Sequence, residues 1–353
     1  MKNYDGIALF SGGLDSILAA RLLMEQGRTI KCLHFYSPFF GHPGRVEHWS
    51  GAYGLDITAI DASEAFVDML KKGPAHGFGS AMNPCVDCKI LMMNLAREQM
   101  AEYGAKFLVS GEVLGQRPMS QRRDTLNVIR RDANVREILL RPLSAKLLDP
   151  TSVEESGLID RSRLLALNGR GRKEQLALAE HFGIAEIPTP GGGCKLTEKE
   201  NTRRFWPVLS RLSCPDVNDF RLADVGRQFW HGDYWLAVGR HKFDNESYAA
   251  LLRKNDLHFK AAGFPGPIAL GRSSRAWDNE TVREAAALVA SYSPKACKAA
   301  EEGRSVGVRV TQGESSTVVD VTPCRETSFR EPTWESARDE LHALRKPGAQ
   351  NNE

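Results

Sequence analysis

A chain of 353 residues with 42% hydrophobic and 26% charged residues has the balance of a globular protein of two or three domains. Its formal net charge of +3 does not by itself mark a nucleic-acid binder, although arginine is concentrated in a few short windows. No apolar run approaches the roughly 20 residues of a membrane span, and seven cysteines in a chain of this length do not make a secreted disulfide framework.

The opening, MKNYDGIALF, runs directly into a strand-like segment without a long apolar region or cleavage site, so the expectation is a cytoplasmic protein with no membrane contact. Residues 5–10 predict a short buried strand. A Gly-rich turn leads to a helix over 14–26, with apolar positions at Leu14, Ile17, Leu18, Leu22 and Leu23 and with Gly27 at its C-cap. Further strands are predicted over 29–36, 56–60 and 106–110, and helices over 46–53 and 90–103. Strands alternating with helices predict an α/β, doubly wound parallel sheet of Rossmann-like kind over residues 1–148.

Residues 149–204 read as an extension with helices over 152–156, 161–167 and 172–182. The Pro/Gly-rich stretch 187–194 then returns Cys194 to the active face of the first domain. From residue 205 the pattern changes to short strands over 234–238, 267–270, 306–311 and 316–321. This predicts a separate α+β module ending near 335. Residues 336–353 form a polar tail, disordered from residue 346.

The string Ser11-Gly12-Gly13-Leu14-Asp15-Ser16 sits between the first predicted strand and helix. Gly12 and Gly13 let the backbone approach a phosphate, Ser11 and Ser16 offer hydroxyls, and the helix start offers N–H groups and a favourable dipole. Asp15 would repel a phosphate unless Mg²⁺ stood between them. The string is similar to the SGGxDS signature of the PP-loop ATP pyrophosphatases. That resemblance implies an adenine nucleotide alpha hydrolase-like fold and cleavage of ATP between its α- and β-phosphates. AMP passes to a carbonyl oxygen, and ammonia or sulfur then displaces it. It adds Phe35 and Gly111 to the ATP-binding residues.

Cys85 and Cys88 lie in Asn83-Pro84-Cys85-Val86-Asp87-Cys88-Lys89. Two thiolates at this spacing can hold a metal, the edge of a cluster or a reversible disulfide. Cys194, behind three glycines, is the third candidate. Three cysteines would leave one iron of a 4Fe–4S cluster open to sulfide or substrate. Zinc held with His76, and a persulfide carried by one cysteine and resolved by another, are the alternative readings. The NPCxxCK loop resembles the active-site loop of tRNA thiouridine synthetases, and cluster-dependent members take a third cysteine from later in the chain.

The segment Gly111-Glu112-Val113-Leu114-Gly115-Gln116, followed by Ser120-Gln121, is similar to the GxxxGQxxSQ segment of 4-thiouridine synthetases, with Arg122 in place of the usual threonine. This implies contacts of Gln116, Ser120, Gln121 and Arg123 with the acceptor or the α-phosphate. The match covers about residues 5–145. The N-terminal RNA-binding module and the C-terminal rhodanese domain of those enzymes find no match.

Two basic clusters flank the expected catalytic face: Arg117, Arg122, Arg123, Arg130, Arg131 and Arg136, then Arg161, Arg163, Arg170, Arg172 and Lys173. Arg122, Arg123, Arg170 and Arg172 are the candidates for RNA contact. A solvated surface balanced by Asp124, Asp132, Glu154 and Glu174 is the alternative. In the last module, Gly239, Arg240, Asn245, Asp256, Leu257 and Gly266 resemble the pattern of a small RNA-binding domain shared with ribosome-quality-control factors, with His241 departing from it.

The expectation is therefore an ATP- and Mg²⁺-dependent enzyme that thiolates uridine in tRNA. Its catalytic residues are Asp15, Cys85, Cys88 and Cys194, and a sulfur donor, a protein or inorganic sulfide, supplies it. The rivals are a small-molecule enzyme of the same fold and a nucleotide-regulated RNA-binding factor.

Overall fold

The computed structural model describes residues 3–189 and 193–344. The centre of the Pro/Gly-rich stretch, residues 190–192, and the tail expected to be disordered from residue 346 lie outside the described residues. Two compact units form, Met1–Lys195 and Leu196–Glu353.

The first unit runs β1 (Gly6–Leu9), α1 (Leu14–Met24), β2 (Ile30–Tyr36), α2 (Val46–Tyr53), β3 (Asp56–Asp61), α3 (Ser63–Lys72), α4 (Cys85–Glu98), α5 (Met100–Tyr103), β4 (Phe107–Ser110), α6 (Arg123–Asp132), β5 (Leu139–Leu140), α7 (Ser152–Glu155) and α8 (Lys173–His181). Its five strands form one parallel sheet in the order β3-β2-β1-β4-β5. The five apolar positions read on α1 (Leu14, Ile17, Leu18, Leu22 and Leu23) are all at most 4% exposed. Burial of each such side chain is worth about 1.5–3 kcal/mol, and this stripe ties α1 to the sheet. Chain order reverses between β1 and β4, and in open parallel sheets the crevice beyond the strand ends at that reversal is where ligands bind.

Two local expectations need correction, and one helix was not expected. The helix expected over 90–103 begins at Cys85, so Cys85 and Cys88 stand one turn apart on its first turn. The helix expected over 161–167 is a single 3₁₀ turn, Arg161–Arg163, capped by the Asp160 carboxylate. Beyond it Leu165 and Leu167 donate backbone bonds to Pro142 and Leu143, so the leucine spacing there reflects an extended edge and not a helix face. The arginine-rich segment after β4 contains helix α6, with Leu126, Ile129 and Arg130 buried.

The second unit contains α9 (Lys199–Arg211), α10 (Val217–Ala223), β6 (Arg227–His231), β7 (Tyr234–Val238), α11 (Lys242–Leu251), β8 (Leu257–Ala261), β9 (Ile268–Arg272), α12 (Asn279–Ala290), α13 (Pro294–Glu301), β10 (Val306–Gln312), β11 (Ser315–Val321) and α14 (Trp334–Leu344). Its antiparallel sheet has the order β11-β10-β8-β9-β7-β6. One face of the sheet, with Phe229, Leu236, Phe259, Val308 and Val310, packs with Ala285, Leu288 and Val289 of α12 into a single core. No helix among the described residues is long and apolar enough to cross a membrane.

Candidate active site

Strand β1 ends at Leu9 and the chain enters the turn over 11–16. Ser16 Oγ donates to the Gly13 carbonyl at 2.7 Å, and the Gly13 N–H donates to Ser11 Oγ at 3.3 Å. The loop is thereby curled over the start of α1. No side chain caps α1, so the unpaired N–H groups of its first turn and the positive end of its dipole are left for an anion. Gly12 has a φ of +79°, and a Cβ there would lie 2.9 Å from the Trp49 ring. Only glycine meets both demands.

Beyond β4 the chain comes equally close. A Cβ on Gly111 would lie 2.6 Å from the Asp15 carbonyl and the Ser16 nitrogen, so the glycine lets the β4 end touch the first turn of α1. Gln116 Nε2 donates to Asp15 Oδ2 at 3.0 Å. The other carboxylate oxygen, Oδ1, is buried with no hydrogen-bond partner among the described residues. A buried carboxylate oxygen with nothing to accept from is costly. Its hardness and charge fit Mg²⁺, which binds through one or two carboxylates together with substrate phosphates. Phe35 is buried at the end of β2.

The cysteine helix joins this site through an ion network that the sequence reading did not single out. Lys89, directly after Cys88, donates to Glu112 Oε1, directly after Gly111. Arg141 donates to the second Glu112 oxygen at 2.9 Å. Glu112 and Arg141 are both buried. Burial pushes the Glu112 carboxyl up, but the charges of Lys89 and Arg141 outweigh it and bring the pKa down to about 2. Lys89 and Glu112 lie inside the two motifs, and their signal was a cation and an anion each adjoining a predicted site residue.

Around the thiols, Asn83 Nδ2 donates to Cys85 Sγ at 3.1 Å. The buried Asp87 carboxylate accepts from the Ala75 and His76 N–H groups and so pins the loop before α4. Burial raises the Cys88 thiol well above its usual value, and the charges of Cys194 and Cys85 raise it further. All three sulfurs therefore share one electrostatic neighbourhood. The Lys195 N–H donates to the Phe39 carbonyl at 2.8 Å, which returns the Cys194 loop to the turn beyond β2. His76, the alternative ligand, places Nε2 3.0 Å from Asp132. Among the described residues no three His, Cys, Asp or Glu side chains are grouped as metal ligands.

The remaining candidates divide. Ser120 and Gln121 are buried, and Gln121 Oε1 accepts from the Arg117 N–H at 3.1 Å, so the pair shapes the loop carrying Gln116. Arg123 donates to the Leu147 carbonyl at 2.6 Å and the exposed Arg122 pairs with Asp124 at 3.2 Å. Arg170 is exposed and Arg172 half-buried at the start of α8. Of the wider clusters, Arg130 is buried against Asp149 at 2.8 Å, and Arg161 pairs with Glu154 while donating to the Ala145 and Leu148 carbonyls at 2.8 Å. These two hold the fold together.

Residues 2–147 match the family model described as thiamine biosynthesis protein (ThiI). Residues 226–334 match the model of the NFACT protein RNA binding domain. Among curated relatives, the chain is similar to a probable tRNA sulfurtransferase of Thermococcus kodakarensis, 32% identical over 118 residues, 31% of this chain and 30% of that protein. It is similar to a tRNA-specific 2-thiouridylase of Nitratidesulfovibrio vulgaris, 32% identical over 107 residues, 29% of this chain and 31% of that protein. A third, a probable tRNA sulfurtransferase of Lysinibacillus sphaericus, is 28% identical over 150 residues, 40% of this chain and 35% of that protein. The chain thus spans about a third of the length of the curated relatives it matches.

Proposed function

We propose that the chain is an ATP-dependent tRNA sulfurtransferase acting in the cytoplasm. The observation that carries the reading is the contact chain from Asp15 and Ser16 through Gly111, Glu112 and Lys89 to Cys88. It couples a phosphate-binding helix start to a set of three thiols. The relatives named for thiolation of tRNA support sulfur as the incoming atom, and the NFACT-type module supports RNA as the acceptor.

In this reading the first turn of α1, with Ser11 and Ser16, holds the phosphates, and Gln116 keeps Asp15 aimed at the Mg²⁺ position. The uridine carbonyl oxygen attacks the α-phosphorus and pyrophosphate leaves. Sulfur supplied through the thiols then attacks the activated carbon, and the C–O bond breaks to release AMP. The Lys89 ammonium, held by Glu112, adds a fixed positive charge beside this route, a stabilisation by prearranged charge. A 4Fe–4S cluster carried by Cys85, Cys88 and Cys194 would supply an open iron for sulfide. The donor is inorganic sulfide bound without oxidation where a cluster is the carrier, or a protein persulfide that passes on its outer sulfur where the thiols alone carry it.

Mass spectrometry of tRNA nucleosides from cells lacking the protein tests the function, and loss of one thiolated uridine is the expected result. An unchanged nucleoside profile would remove the proposal. Anaerobic purification tests the carrier: about four irons per chain, lost in Cys194→Ala, supports the cluster, whereas iron-free protein that remains active assigns sulfur to the thiols alone.

A further inference from the structure

Half of the second unit's sheet leaves one face uncovered. In the antiparallel ladder Lys260 of β8 stands directly opposite Arg309 of β10, which in turn faces Val318 of β11. Directly paired residues project to the same side of a sheet. Val308, Val310 and Phe259, at the alternate positions, lie in the core on the other side. Lys260 and Arg309 are exposed, and Val318 is 55% exposed. His258 and Thr311, the next pair along, are half-buried on the same open face.

Two cations directly opposite each other destabilise a strand pair. Neither Lys260 nor Arg309 has a carboxylate within ion-pair distance among the described residues, whereas Arg272 of the neighbouring strand β9 is held by both Asp219 and Asp256. The one acid on this face, Asp320, lies opposite Gly307 and accepts from Ser305 Oγ at 2.9 Å. An uncompensated cation pair beside an exposed aliphatic side chain and an imidazole is matched by a ligand with closely spaced negative charges and flat apolar faces.

We propose that the open face formed by Lys260, Arg309, Val318 and His258 is where an RNA strand docks, phosphates on the two cations and a base against the Val318 and His258 side. This rests on the RNA-binding reading of residues 226–334 and adds to it the surface that makes the contact. The cations supply affinity through counterion release, and the cost of their repulsion is met only when the polyanion is bound.

The test is titration of tRNA into the full chain at several salt concentrations, with thermal unfolding of the same samples. Lys260→Ala with Arg309→Ala should weaken binding about 10-fold and lower the slope of log affinity against log salt by about 1.5 to 2. Arg309→Glu is the sharper variant, because it creates a cross-strand ion pair with Lys260. It should raise the unfolding temperature above that of Arg309→Ala while binding tRNA more weakly than Arg309→Ala. If wild type binds tRNA and these variants bind with unchanged affinity and slope, the surface assignment is overturned and the RNA reading of the module stands. If wild type binds no tRNA, or captures acidic peptides in its place, the surface proposal and the RNA reading fall together.

Discussion

Replacing Glu112 by glutamine keeps its shape and removes the charge that joins Lys89 to Arg141. In the folded chain the charges of Lys89 and Arg141 hold the carboxyl at about 2, against an ordinary 4.5. The ionised group is thus favoured in the fold by about 3 kcal/mol, in line with the roughly 3–5 kcal/mol lost when one partner of a buried ion pair is removed. For a unit of this size that is a fall of roughly 6–12 °C in unfolding temperature. The folded pKa is depressed, so this contribution is complete above pH 4.5 and is lost as pH falls toward 2. Hydrogen exchange of the β4 and α4 amides in wild type and Glu112→Gln, between pH 7 and pH 3, reads the difference locally. The variant should exchange faster at pH 7, with the gap closing as pH falls. Equal exchange at pH 7 would refute the network as a source of stability, and a gap that persisted unchanged to pH 3 would refute its electrostatic origin.

Gly12→Ala forces a Cβ against the Trp49 ring at a positive φ, a strain of about 1–3 kcal/mol, and ATP affinity measured by calorimetry should fall at least about 10-fold. Cys88→Ser should abolish thiolation of tRNA while pyrophosphate release from ATP persists, since the thiol acts after adenylylation; loss of both activities would contradict that order. His34 accepts the His42 N–H on Nε2 at 2.9 Å, with Nδ1 on the Phe10 carbonyl, so its ring is neutral. Burial lowers its pKa below 6.5, and the unfolded chain therefore takes up protons first. Stability from this site is present above pH 6.5 and is lost as pH falls below it. Amides of residues 37–45 should exchange faster at pH 5.5 than at pH 7.5 after correction for intrinsic rates.

The parallel sheet was legible because the short central strands β1 and β4 are apolar runs that alternate with helical segments, and α1, between two of the strands, is apolar over most of its length. The phosphate loop was legible because two glycines and two serines between a strand and a helix have few other uses. Helix α6 escaped notice because its buried face includes Arg130, whose charge is matched by Asp149 at a distance of 19 residues. Glu112 and Arg141 escaped for the same reason, since a charge looks solvated in sequence until its partner is placed. The leucines after Arg163 imitated a helix because Leu164 and Leu167 are both buried three residues apart, here on the two sides of an extended segment covered on both.

The most direct measurement of the central claim is a reconstituted reaction containing the chain, ATP, Mg²⁺, tRNA and sulfide, with nucleosides and pyrophosphate quantified together. The account predicts one thiolated uridine formed per pyrophosphate released, both dependent on tRNA, with thiolation absent in Cys88→Ser. Pyrophosphate released at an undiminished rate without tRNA, or an ammonia-derived product in place of a thiolated one, would contradict it.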